Sequence, residues 1–332
     1  MGQGPQGKDG RLDRTGRPLV EGEVFSLSAF ASLLRSGEFV ITAELNPPKS
    51  AAANVVRRRG EALKGVVDAV NVTDSNRAMV AMAAIPAATI VRSSGVEPIV
   101  QITGRDRNRI ALQADVLGAV AMGIENFVFM SGDDPKQGNH PDAVNVKDLD
   151  GVGLVKMAVG MRDQARFLSG DEIKQPPKML VGATASPFTK PMEADLTKTF
   201  EKIAAGAEFL QTQPVFDLAI FSQWLVEVRR GGAREVPIIA GVLVLRSAEQ
   251  AERMAKVPGL ALGPDVLERM KKAADAEAEG IAIAVEMVKA LKALPGVRGV
   301  HLYAIEWPEA VARVVEAAGL LPRPQAKVAV GT

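Results

Sequence analysis

Eight short apolar runs interleaved with helical patterns constrain this chain more than any other feature. The runs are 39–45, 67–73, 97–103, 126–131, 178–185, 208–213, 237–243 and 299–305. Between them, apolar residues recur at helical spacing over 51–64, 77–93, 107–122, 151–165, 193–206, 216–229 and 307–318. The longer gap before the last run holds 246–256, 264–273 and the Ala-rich 274–293, room for two or three further helices. A short helix is also expected over 25–37, ahead of the first strand. Strand-period and helix-period segments taking turns imply βαβ units and a parallel sheet. Eight such units fit an α/β fold of the closed (β/α)₈, or TIM, barrel type, with extra helices between strands 7 and 8. A doubly wound open sheet is the competing arrangement, but no GxGxxG follows any of the runs.

Outside the alternation the chain reads differently. Residues 1–24 are rich in Gly, Arg and Asp and poor in apolar side chains. They are expected to form a flexible N-terminal arm, with docking on a partner subunit as the other reading. Residues 25–320 are expected to be one barrel domain, and 321–332 a C-terminal tail. A net charge of +1 gives no electrostatic footprint for nucleic acid or an anionic membrane. No apolar run reaches the roughly 18–20 residues that span a bilayer. The opening MGQGPQGKDGRLDRTGRPL lacks the apolar centre of a signal peptide, so a cytoplasmic protein is expected. There is no cysteine. That excludes disulfides, thiolate zinc sites, cysteine-held iron–sulfur clusters and cysteine nucleophiles within this chain. With only His140 and His301, no histidine-rich metal site is expected.

In such a barrel the chemistry sits at the C-terminal ends of the strands. The first run, FVITAEL, ends on Glu44, followed by Asn46 and two prolines. A carboxylate in an apolar frame costs free energy unless it is paired or protonated. Two readings follow: a structural ion pair with an arginine of 105–109, or an acid held protonated. The other strand ends offer Thr73, Gln101, Ser131, Gly132, Asp133, Ser186, Gln213, His301 and Tyr303. Glutamine amides donate and accept at once, which suits the alternating edge of a flat heterocycle such as a pterin or flavin. The bland readings stay open here. Gln101 and Gln213 could tie strand ends together, and Asp133-Asp134-Pro135 could be turn chemistry. Arg105 and Arg107 could be a solvated helix face or could meet phosphate. His301 reads as a packed or exposed strand residue, and His140 as a loop residue.

Six motifs occur in order, each at the end of a strand: AELNPPKS, VNVTD, VQITGRDRN, FMSGDDP, a block running from ADL through Lys and GA to TQPVFD, and HLYAIE. Together they resemble the methylenetetrahydrofolate reductase family over residues 36–320. The resemblance implies a (β/α)₈ barrel carrying a flavin, FAD rather than FMN, that NADH or NADPH reduces. It also implies reduction of 5,10-methylenetetrahydrofolate to 5-methyltetrahydrofolate by hydride from the reduced flavin. Glu44 matches the family's general acid, whose role requires a raised pKa. Asp133 matches the aspartate that tunes the flavin and holds the folate. Gln213 and Tyr303 match substrate contacts. Thr73, Gln101, Ser131, Gly132, Ser186, Asp195 and Lys202 fall at flavin contacts, the last two on its adenosine and phosphate side. Gln101, Ser131 and Ser186 replace the His, Arg and Tyr of some relatives, and the substrate-contacting arginine of relatives is missing here, with Trp307 near its position. Like relatives, the chain is expected to form a homo-oligomer, and it could take electrons from a partner subunit or run in reverse as a methyltetrahydrofolate oxidase. An aldolase or lyase on the same barrel would want a Schiff-base lysine inside a strand, and no run holds one except at its edge.

Overall fold

The structure, a computed structural model, describes residues 28–233, 235–257 and 260–326. The arm expected over 1–24 lies outside them, as do 25–27 of the first expected helix and 327–332 of the expected tail. Eight parallel strands close into a barrel in sequence order: β1 Val40–Leu45, β2 Ala69–Val72, β3 Pro98–Thr103, β4 Asn126–Met130, β5 Leu180–Ala185, β6 Phe209–Pro214, β7 Ile238–Leu243 and β8 Val297–Tyr303. β8 pairs back onto β1, with Val40 opposite Gly299 and Thr42 opposite His301. Around the strands run α1 Ala29–Ser36, α2 Ala53–Leu63, α3 Ala84–Ser93, α4 Arg109–Ala121, α5 Gly151–Asp163, α6 Met192–Ala204, α7 Leu218–Arg230, α8 Ala248–Ala255, α9 Pro264–Lys272, α10 Ala276–Ala293 and α11 Pro308–Ala317. Three helices, α8 to α10, fill the long gap, as expected.

One helix is shorter than its pattern. The run 77–93 is helical only from Ala84. Ahead of it, Ser75, Arg77 and Ala78 have φ of 48°, 56° and 53°, a left-handed backbone that no α-helix continues. Long-range bonds hold this stretch instead. The Asp133 carboxylate accepts from the Arg77 N–H at 2.9 Å, and the Arg105 guanidinium donates to the Ser75 carbonyl at 3.2 Å. The β2–α3 loop is thus stapled to the loop after β4.

The barrel interior has layers, and the hydrogen bonds reveal which side chains point inward. β2 and β6 are not neighbours, yet Asn71 and Gln211 exchange amide bonds at 2.6 and 3.2 Å. Only the barrel axis lies between them. Gln211 also donates to the Thr42 hydroxyl at 3.3 Å, and Thr42 meets His301 Nδ1 at 2.8 Å. These four buried residues make a polar floor across the barrel. His301 is therefore a packed interior residue, 0% exposed, and its Nε2 has no partner among the described residues. Burial pushes its pKa down to about 3, so the floor carries no charge at neutral pH.

Below the floor lies an apolar layer from Val40, Ala69, Ile99, Val128, Leu180, Phe209 and Ile239. The residue two places further along β5 is Gly182, where a Cβ would collide with the Phe209 ring. Helix α1 seals this layer from beneath with Phe30, Ala31, Leu33 and Leu34. Its start is capped by Ser28, whose hydroxyl accepts from the Ala31 N–H at 3.1 Å. Phe30 meets Phe209 edge to face at 5.7 Å. Burying an aromatic ring of this size is worth about 2–3 kcal/mol. After α11, Arg323 returns to the same end of the barrel. Its guanidinium binds the Asp68 carboxylate at 2.6 and 3.1 Å and the Phe39 carbonyl at 2.7 Å.

Candidate active site

Above the polar floor, the next inward positions form the barrel mouth. β1 presents Glu44, two residues beyond Thr42, and β8 presents Tyr303, two beyond His301. The Glu44 carboxyl is partly open to the mouth yet crowded by barrel atoms, and burial pushes its pKa up to about 7. Its hydrogen bond from Asn46 acts the other way and does not offset burial. The ion-pair reading of Glu44 fails. Arg105 pairs with Asp106, Arg107 with Asp74 and Asp115, and Arg109 with Asp148. No cation pairs with Glu44 among the described residues. Arg105 is 2% exposed, so it is not a solvated helix face either.

Tyr303 donates to the Thr212 carbonyl at 3.1 Å and stands edge-on to His301 at 4.4 Å. Burial first, then the nearby Glu44, push its pKa up, so it stays a neutral hydrogen-bonding group. Thr73, at the end of β2, is buried and donates to Asn46 at 2.9 Å. Gln101 on β3 and Gln213 on β6 have side-chain amides with no partner among the described residues. Gln101 is half-buried and Gln213 exposed. They do not tie strand ends together. A tie across the barrel is made instead by Gln211, two residues earlier on β6.

The loop after β4 carries Ser131, Gly132 and Asp133. Gly132 has φ of 85°, and an added Cβ would lie 3.0 Å from Thr103, so only glycine turns the chain here. Asp133 is exposed and fixed by Arg77. Ser131 accepts from the Gly151 N–H at the start of α5, at 3.1 Å. Close by, the Lys202 ammonium donates to the Thr184 carbonyl at 2.6 Å, and burial holds its pKa below the usual lysine range. Asp195 is buried and fully engaged: it accepts from Ser186 N–H and from the Trp224 indole, each at 2.8 Å, and from Thr199 at 3.3 Å. Its role in the fold is to seat the β5–α6 turn, and Ser186 with it. Trp307, by contrast, is buried beneath Arg246, whose guanidinium lies 5.2 Å from the ring centre.

The mouth thus gathers Glu44, Thr73, Gln101, Gln213 and Tyr303, with Ser131, Gly132, Asp133, Ser186 and Lys202 on one rim. Asn46, which sequence reading passed over, joins them between Glu44 and Thr73. Its signal was its place between an acid and two prolines. A hollow of about 630 Å³ opens at the other end of the barrel, between Ser28, Arg92, Glu97 and Glu125. None of the strand-end groups reaches it.

A closed (β/α)₈ barrel with its unpaired acid and unspent amides at the C-terminal ends of the strands defines a class: barrels whose chemistry sits in that mouth. The chain belongs to the methylenetetrahydrofolate reductase family, whose model matches residues 29–319. It is 24% identical over 242 residues to the probable methylenetetrahydrofolate reductase (NADPH) of Caenorhabditis elegans, covering 70% of this chain and 34% of that protein. It is 28% identical over 124 residues to methylenetetrahydrofolate reductase 1 of Schizosaccharomyces pombe, covering 36% of this chain and 20% of that one. The chain therefore spans about a third or less of these relatives' length. Among solved structures, an uncharacterised protein from Clostridium thermocellum that binds two copies of 5-methyl-5,6,7,8-tetrahydrofolic acid superposes with a TM-score of 0.60. It is 14% identical and covers 88% of this chain and 98% of its own. No helix among the described residues is long and apolar enough to cross a membrane.

Proposed function

We propose that this chain reduces 5,10-methylenetetrahydrofolate to 5-methyltetrahydrofolate, with FAD as the hydride carrier and NADH or NADPH as donor. One observation carries this reading. Glu44 is an acid without a cationic partner among the described residues, at the barrel mouth, that holds its proton up to about pH 7. Such a group delivers protons at neutral pH. Membership of the family and the folate bound by the C. thermocellum protein support the substrate class.

The donor set at the mouth fits the ring system of a flavin. Gln101 and Gln213 each have an unspent amide, and Ser186 and Thr73 add hydroxyls. On the rim, Ser131 and Lys202 would hold the cofactor's tail, and Asp195 would act through the turn it seats, which carries Ser186. Lys202 has two further N–H bonds beyond the one it gives Thr184. A bound flavin would carry hydride between the pyridine nucleotide and the folate. Glu44 then gives its proton to N10 of the folate, opening the five-membered ring to an iminium that accepts hydride. Asp133, held by the Arg77 N–H, presents negative charge to the bound ring system. Gln213 reads the pterin edge, donating and accepting at once.

Replacing Gln213 with Ala should raise the folate KM roughly tenfold, the effect of losing one hydrogen bond of about 1.4 kcal/mol. The side chain is exposed, so the fold should be unaffected. A change in flavin content alone would contradict the assignment. Because Glu44 must carry a proton, the folate half-reaction should slow about tenfold per pH unit above about 7. A flat profile from pH 6 to 9 in single-turnover measurements would remove Glu44 from the proton step.

The reading as a whole is tested by the absorption spectrum of the purified chain, followed by anaerobic addition of NADH, NADPH and methyltetrahydrofolate. Flavin bands bleached by a pyridine nucleotide support a self-sufficient reductase and identify the donor. Bleaching by methyltetrahydrofolate alone places the electron source on another chain. A chain that takes up no FAD, at saturating cofactor, overturns the flavin mechanism.

A further inference from the structure

Asn46 touches more of the mouth than any single proposed site residue. Its side-chain nitrogen donates to Glu44 Oε1 at 3.0 Å. Its side-chain oxygen accepts from the Thr73 hydroxyl at 2.9 Å and from the Asn76 amide at 3.4 Å. Its backbone carbonyl is held by Arg59 of α2 at 2.7 Å, and Arg59 in turn pairs with Glu306 beyond β8 at 3.5 Å. As the amide is placed, its oxygen faces two groups that can donate, and its N–H₂ end faces Glu44. An oxygen that accepts an N–H is the poorer place for a proton. With Oε1 engaged in this way, Oε2 is the oxygen left to carry a proton.

We propose that Asn46 is a positioning residue for the acid: it fixes the Glu44 proton on Oε2, and it ties the acid to Thr73 on the neighbouring strand. The inference rests on Glu44 acting as the acid, and it adds which oxygen delivers the proton and what holds it there. Asn46 also favours the ionised carboxylate, so it keeps the acid from becoming too weak to let its proton go. The other titratable and charged groups around the pair are Tyr303 and His301 from β8, Arg59 with Glu306, and Asp74 with Arg107 beyond Thr73. None of them bonds to the Glu44 carboxyl, which leaves Asn46 as its hydrogen-bond partner among the described residues.

The test is the carboxyl titration itself, read by ¹³C NMR on the chain labelled at its Glu side chains, with Glu44→Gln to assign the resonance. In the parent chain a carboxyl should titrate near 7. Asn46→Leu should move it up by about one pH unit, the size expected for losing a hydrogen bond to a charged group. Thr73→Val, which frees the amide to turn, should move it the same way by less. The alkaline limb of the folate half-reaction should follow, and its plateau should fall about tenfold because the proton is no longer fixed on one oxygen. A carboxyl near 7 that neither variant moves overturns the role of Asn46 and leaves the acid intact. No carboxyl near 7 in the parent chain overturns both.

Discussion

Glu44→Gln is expected to lower folate turnover by about 10²-fold or more, with the fold intact and reduction by the pyridine nucleotide unchanged. Glutamine keeps the size and the acceptor that Asn46 needs but has no proton to give. The same change should stabilise the protein at alkaline pH. An acid with an unfolded pKa of 4.5 and a folded one of about 7 binds a proton on folding between those values. Stability from this group is therefore greatest below 4.5 and declines as pH rises to about 7. The upper bound on that loss is about 3 kcal/mol, reduced by the partial exposure of the carboxyl. A glutamine does not titrate and escapes it. Thermal unfolding at pH 5.5 and pH 8.5 checks this: parent and variant should differ more at the higher pH, with the variant more stable. Turnover within threefold of the parent would end the role of Glu44 as proton donor. Unequal activity with equal stability at both pH values would show that its proton is not set by burial.

The second large effect is expected far from the mouth. Arg323→Ala should destabilise the barrel by about 3–5 kcal/mol, because it leaves the Asp68 carboxyl, whose side chain is 1% exposed beside Arg323, without its cation. The Tm should fall by roughly 5–10 °C. Asp68 also accepts from the Ile41 N–H at 2.6 Å, so removing the carboxyl outright would create a second fault. Asp68→Asn keeps an acceptor there and drops the charge. In the Arg323→Ala background it should recover part of the loss if the unpaired charge is the cause. Equal Tm values for the single and double variants would assign the loss to packing of the Arg323 stem.

The barrel was legible because its signal is local. Each strand and helix declares itself by period, and the eight expected runs match the eight strands to within two residues at most boundaries. The helical pattern at 77–93 misled because residues 75–78 obey contacts from elsewhere. Asp133 lies 56 residues from the N–H it binds. The strand-end acid was legible too, since a lone carboxylate in an apolar run demands an explanation. What surrounds it was not. The arginines of 105–109 read equally well as partners for Glu44 until Asp74, Asp106, Asp115 and Asp148 were seen to take them. The cross-barrel bonds of Gln211 and His301 were beyond local pattern, because their partners, Asn71 and Thr42, lie 140 and 259 positions away. Asn46 was hidden by its setting. Before two prolines it reads as turn chemistry, and only its two-sided bonding shows otherwise.

Helix α1 and the layers above it make the barrel a cup with one rim. With Phe30 seated under Phe209 and a bonded polar floor over both, nothing that enters at the strand ends has a back door. Under the proposed function the pyridine nucleotide and the folate both enter by this rim and take turns. The second waits outside until the first has gone, so the first to arrive is the first to leave. Steady-state plots at varied concentrations of both should run parallel, and each substrate at high concentration should inhibit by occupying the cup in the other's place.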